Sequence, residues 1–165
     1  MGWLFTQGQT RAGLIEELTR GSENEHAKWT FLKRYCSGNV LWTVTEITRK
    51  DNGQTDRFIG CFLLDRKKDY GWGYKDMEES MGPFYYSCPL SFLDMVPVAN
   101  EEWRKGVREY HARRNQKLEV GQTVRLTDGK DYKIAKVRPL RAYGPDGVYY
   151  RIPRRMLPIP NQGVA

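Results

Sequence analysis

Three groups of residues in this chain are of types that could break bonds. Residues 76–79 read DMEE, which places the carboxylates of Asp76, Glu78 and Glu79 within four positions. Clustered carboxylates can hold a divalent cation that activates water for hydrolysis. Cys88 stands just before Pro89 at an expected helix start, where the helix dipole would lower a thiol pKa. A nucleophile also needs a base, and His26 and His111 are the only histidines. Each group has a plainer reading. Asp76-x-x-Glu79 fits a capping box, in which Asp accepts a backbone N–H and Glu reaches back to the cap. A metal site would want ligands from other elements, and no further motif supplies them. Helix capping is therefore expected of the acids, and core packing of Cys88. The chain has no P-loop, dinucleotide fingerprint or Gly-x-Ser-x-Gly. No catalytic residue, metal or cofactor is assigned. A metal- or thiol-dependent enzyme ranks third among the readings, behind two kinds of binding protein.

Binding chemistry is better represented. The 165 residues carry a formal net charge of +7. Residues 1–100 hold 12 Lys+Arg against 13 Asp+Glu, and residues 101–165 hold 15 against 7. All the excess positive charge sits in the last two-fifths, which suggests a surface for a polyanion. Arg125, Lys133, Lys136, Arg138, Arg141, Arg151, Arg154 and Arg155 share that region with Tyr143 and Tyr149. Basic side chains neutralise phosphates and release counterions, and tyrosine faces stack on unpaired bases. Strand alternation puts Tyr149 and Arg151 on one face and Tyr150 on the other. The same residues could form a solvated wall or meet an acidic protein surface. A second candidate surface is the glycine-flanked corner GWGYK, where Trp72, Tyr74 and Lys75 either form an exposed recognition platform or seal the edge of a sheet.

The elements that must position these groups follow from periodicity. Thr10 caps a short helix with Leu14, Ile15 and Leu18 on one stripe, and Gly21 ends it. AKWTFLKRY places Ala27, Trp29, Phe31 and Tyr35 on one face at period two. VLWTVTEIT is a second strand, and Asp51-Asn52-Gly53 is a hairpin turn. RFIGCFLLD is apolar on both faces, a buried third strand of an antiparallel meander. Pro89 and Pro97 bracket a short helix. Asn100 then caps EEWRKGVREYHARRN, with Glu101 and Glu102 in its first turn and Arg113 and Arg114 in its last. Trp103, Val107 and Tyr110 should face the core, and Arg104, Lys105 and Arg108 water or a partner. After residue 116 come short strands separated by turns at Thr127-Asp128-Gly129 and at residues 143–147. The expected fold class is α+β: an antiparallel sheet packed by helices over residues 1–116, then a small barrel over 117–165.

Three cysteines, odd in number and far apart, argue against a disulfide framework and fit a reducing cytoplasm. No apolar run approaches the roughly 20 residues of a membrane span. The start MGWLFTQGQTR lacks the basic and long apolar regions of a secretory signal.

The succession V-G-x-x-V-R-L, Y-K-I, Y-Y-R-I-P and a short closing strand resembles SH3-like barrels. The strings MGWLF, GYKDMEESMGP and CPLSFLD resemble a group of uncharacterised bacterial proteins carried on plasmids, integrative elements and phages. That second resemblance spans residues 1 to about 115. It implies a mobile-element setting and assigns no catalytic residue. The expected function is non-enzymatic binding of nucleic acid or a nucleoprotein through the basic C-terminal surface. The alternative is a protein-binding inhibitor of a host defence complex, of anti-CRISPR or anti-restriction type.

Overall fold

The computed structural model describes residues 10–64 and 74–160. The chain divides into two compact units, Met1–Val107 and Arg108–Ala165.

In the first unit, Thr10 Oγ1 accepts the Gly13 N–H at 3.0 Å and opens helix α1, Arg11–Leu18. Five strands follow: β1 (Ser22–Glu23), β2 (Ala27–Ser37), β3 (Val40–Arg49), β4 (Thr55–Leu63) and β5 (Lys75–Asp76). They form one antiparallel sheet in the order β1-β2-β3-β4-β5. The β3–β4 hairpin turns through Asp51-Asn52-Gly53, where Gly53 has φ +69° and takes the left-handed region that a side chain disfavours. Helix α2 (Leu90–Leu93) and helix α3 (Glu101–Asn115) come after β5. Asn100 Oδ1 caps α3 by accepting the Trp103 N–H at 3.0 Å.

Both faces of this sheet are covered. On one side Trp42, Val44, Ile59, Cys61, Met77, Cys88, Phe92, Leu93, Val96, Trp103 and Val107 make one buried cluster. On the other, Leu14 and Leu18 of α1 pack on Leu41, Phe62 and Leu64. Central strand β3 is therefore buried on both faces through Leu41–Thr45. Strand β2 departs from simple alternation. A register shift between Phe31 and Lys33 inserts one residue opposite β3. Phe31 and Cys36 then pack with the α1 cluster, while Tyr35 is paired with Trp42 and half exposed. The one-face reading of Phe31 with Tyr35 is thus corrected by a bulge, which flips every later side chain to the other side.

The second unit has strands β6 (Thr123–Arg125), β7 (Asp131–Lys136), β8 (Arg141–Tyr143) and β9 (Tyr149–Arg151), antiparallel in the order β6-β7-β8-β9. Its core is Leu118, Val124, Leu126, Tyr132, Ile134, Leu140, Ala142, Ile152 and Leu157. The sheet is open rather than the expected closed barrel. After β9 the chain makes a single 3-10 turn at Arg154–Met156, and no described residue beyond it adds a strand. Pro153, Pro158 and Pro160 lack the N–H that a closing ladder would need. One backbone bond, Thr127 N–H to Met156 O at 2.9 Å, ties the tail beside β6.

Two turns of this unit are built alike. Residues 128–132 and 146–150 both read Asp-Gly-x-x-Tyr. Asp128 Oδ1 accepts the Lys130 N–H at 3.0 Å and Oδ2 accepts the Tyr132 hydroxyl at 2.8 Å. Asp146 Oδ1 accepts the Val148 N–H at 3.0 Å and Oδ2 accepts the Tyr150 hydroxyl. The two rings then meet edge to face at 6.2 Å.

Candidate nucleic-acid interface

Strand alternation sorts the second sheet into two faces. Val124, Tyr132, Ile134 and Ala142 point into the core. Their neighbours along each strand point away from it. Lys133 lies opposite Tyr143, and Tyr143 opposite Tyr149, so three strands contribute one transverse row. Arg141 lies between Lys136 and Arg151 in the next row. Strict alternation from Lys133 would turn Lys136 inward. A register shift between Ile134 and Lys136 keeps it exposed beside Arg141.

The rings are available. Tyr143 is 48% exposed and Tyr149 44% exposed, with centroids 5.2 Å apart and planes inclined by 52°. The Arg141 guanidinium sits 5.5 Å from the Tyr149 centroid, within cation–π range. Its Nε is buried and makes no hydrogen bond among the described residues. No described carboxylate forms an ion pair with Lys133, Lys136, Arg138, Arg141 or Arg151. Arg125, on the same face, differs. Its Nε and Nη2 donate to Asp131 Oδ1 and Oδ2 at 2.9 and 3.1 Å. That fork holds the Asp131 carboxyl below its usual value and raises Arg125 further.

The remaining basic residues scatter by role. Arg138 and Arg155 are exposed. Arg154 Nη1 donates to the carbonyls of Arg113 and Arg114 at 3.4 and 3.1 Å, closing the end of α3. Arg108 is exposed on α3. Arg104 corrects the expectation that it faces water. It is 3% exposed, and its guanidinium donates to Glu78 Oε1 at 2.7 Å and to the carbonyls of Leu93, Val96 and Pro97 at 2.8, 3.1 and 3.0 Å. It fastens α3 to the α2 segment and to the loop after β5.

The same contacts settle the acidic string. No helix forms at residues 76–79, so the capping box is corrected as well. Asp76 Oδ1 accepts the Glu78 N–H at 2.8 Å in a tight turn, and Glu79 pairs with Lys75 at 2.9 Å rather than reaching back to a cap. Burial raises the Asp76 carboxyl. Burial also raises Glu78, and the Arg104 hydrogen bond offsets only part of that.

The glycine-flanked corner turns inward where it is described. Trp72 lies outside the described residues. The Tyr74 hydroxyl meets Thr45 Oγ1 at 3.0 Å, and its ring packs against Phe31, Phe58 and Phe62. That ring lies over Gly60, where an added Cβ would come 2.1 Å from the phenol oxygen. Lys75 is buried and paired with Glu79. Tyr74 and Lys75 therefore seal the sheet edge. Cys88 is fully buried, and burial pushes its thiol up, opposite to what a nucleophile needs. Cys61 beside it is pushed up to about 12 by the same cause.

Sequence reasoning passed over Arg114. It lines a cavity together with Arg138, Arg151 and Arg154. Its only signal was position in the last turn of α3, which the helix dipole explained by itself. Compared with known protein families, with curated proteins and with solved structures, the chain shows no significant match in any of the three.

Proposed function

We propose that this protein binds nucleic acid, without catalysis, through the outer face of the β7–β9 sheet. One observation carries the reading: Tyr143 and Tyr149 stand exposed within a field of Lys133, Lys136, Arg141 and Arg151 that no described carboxylate neutralises. The cations would neutralise backbone phosphates, and the two rings would stack on unpaired bases. Direct base-edge readout has no support here, so affinity rather than sequence discrimination is the expected property. The resemblance to proteins of plasmids, integrative elements and phages supplies the setting in this reading.

Inhibition of a host defence complex would use the same basic face against an acidic groove. Of the corner that would be its second anchor, Tyr74 and Lys75 are turned into the fold, and Trp72 lies outside the described residues.

Fluorescence anisotropy with labelled single-stranded and duplex DNA and RNA tests the proposal. Binding should weaken steeply with salt, with a slope reduced by about 0.7–0.9 for each phosphate contact removed. Tyr149→Ala should weaken single-strand binding by about 1–3 kcal/mol per unstacked base. Arg151→Gln with Lys133→Gln should flatten the salt slope. Failure to bind either nucleic acid at low salt overturns the reading.

A further inference from the structure

A cavity of about 470 Å³ opens in the second unit between the last turn of α3, the β7–β8 turn and the stretch after β9. Four arginines line it, Arg114, Arg138, Arg151 and Arg154, and no acidic side chain does. Gathering four positive charges is unfavourable unless dipoles or an anion offset them. Dipoles account for Arg154: its donors reach the Arg113 and Arg114 carbonyls and that of Val137 at 3.5 Å. These include last-turn carbonyls that carry the negative end of the helix dipole, so that end is already occupied by a cation. Arg114 Nη1 donates to the Tyr110 hydroxyl at 2.9 Å, a neutral partner. Arg138 and Arg151 are exposed, with no described carboxylate in ion-pair range. Three guanidinium groups thus keep uncompensated charge around one space.

The rest of the wall is mainly apolar, from Val137, Pro139, Leu140, Ile152 and Pro153. The volume falls within the range of small-molecule sites. Guanidinium forks match phosphate oxygens two at a time, and apolar walls match an organic body. Inorganic phosphate alone would leave that wall unused. We propose that the cavity is a phosphate-ester site for a ligand of nucleotide size, with Arg138 and Arg151 as the principal phosphate contacts. The proposal goes beyond the reading of the sheet face and does not depend on it, although Arg151 serves both.

Calorimetry on the full chain tests it with adenosine 5′-monophosphate against adenosine. The monophosphate should bind and the nucleoside should not. Arg138→Gln with Arg151→Gln, both at exposed positions, should weaken the monophosphate by about tenfold or more. Lys33→Gln, an exposed cation on β2, should leave it unchanged. Two further arms identify the source of the phosphate. Tighter binding of a 5′-phosphorylated oligonucleotide than of its 5′-hydroxyl twin assigns the cavity to a strand terminus. Binding of the monophosphate with equal binding of the two oligonucleotides assigns it to a free nucleotide. The cavity proposal is overturned if monophosphate and nucleoside bind alike, or if the double variant binds the monophosphate as the parent does. Oligonucleotides that still bind in a salt-dependent way would then leave the sheet-face reading standing alone.

Discussion

At the scale of single residues, the positive charges divide into those that hold the fold and those left over. Arg104 and Arg154 belong to the first kind; Lys133, Lys136, Arg138, Arg141 and Arg151 to the second; Arg125 is neutralised at the surface by Asp131. Arg104 is the sharpest case. Both side chains of its pair with Glu78 are nearly sealed from solvent, at 4% and 6% exposure. Removing one partner of such a pair leaves the other charge buried, at a cost of about 3–5 kcal/mol. Arg104→Met should lower the unfolding free energy, read by urea titration, by that much. Adding Glu78→Leu should recover only part of the loss, because the carbonyls of Leu93, Val96 and Pro97 still lack their donor. An Arg104→Met variant with unchanged stability would remove this residue from the fold's supports. The burial was within reach of the sequence. Residues 103, 104 and 107 share one helical face, and the charge at 104 concealed it. Gly60 was less legible. Gly71 and Gly73 stand out by their spacing around Trp72, whereas Gly60, which the Tyr74 ring overlies, sits unmarked in the middle of β4.

At the scale of elements, strands and helices were largely readable, and what interrupts them was not. Alternation located β2, β-branched and aromatic enrichment β3, a continuous apolar run β4 and turn spacing β7 and β9, while caps located α1 and α3. Neither bulge could be read, since an inserted residue is recognised only against its partner strand. The paired turns were half legible: Asp-Gly marked each turn, and the tyrosine four positions after each Asp was not connected to it. Those tyrosines give the unit a definite pH response. The Lys130 N–H and the Tyr132 hydroxyl hold Asp128 below its usual 3.8, and the Tyr150 hydroxyl and Val148 N–H do the same for Asp146. A depressed carboxyl contributes stability that is present above its unfolded value and lost as pH falls through its folded value. The phenols are raised above 10 by the same carboxylates. Their contribution is complete below the unfolded phenol value and lost as pH rises through the folded one. The second sheet should therefore be most stable between about pH 4 and 10 and weaken at both ends. Asp128→Asn with Asp146→Asn should flatten both flanks of the urea-midpoint profile. An unchanged profile would show that the turns hold without their carboxylates.

At the scale of the whole molecule, charge and structure divide the chain at nearly the same place. Residues 108–165 hold 13 Lys+Arg against 5 Asp+Glu, so the net positive charge of the protein resides in the second unit. The composition shift after residue 100 was plain in the sequence, and the end of the helix suggested a boundary after residue 116. The compact second unit runs from Arg108 and so takes in the last turns of α3. The reason lies in backbone groups that sequence does not display. Arg113 Nε donates to the Leu157 carbonyl at 3.2 Å, and Arg154 donates to the carbonyls of Arg113 and Arg114. The last turns of the helix and the tail after β9 therefore hold each other. A fragment of residues 117–165 keeps the core that starts at Leu118 but loses all three bonds and one wall of the arginine cavity. A fragment of residues 108–165 keeps them. At about 0.5–1.5 kcal/mol for each hydrogen bond, the shorter fragment should unfold at a distinctly lower urea concentration. So small a domain has little stability to spare, and it should be partly unfolded in buffer while the longer one folds. Equal midpoints would place the boundary after the helix and leave Arg113 and Arg154 without a structural role. A lower midpoint that Arg154→Lys in the longer fragment partly reproduces would assign the difference to the bonds Arg154 makes with the helix end.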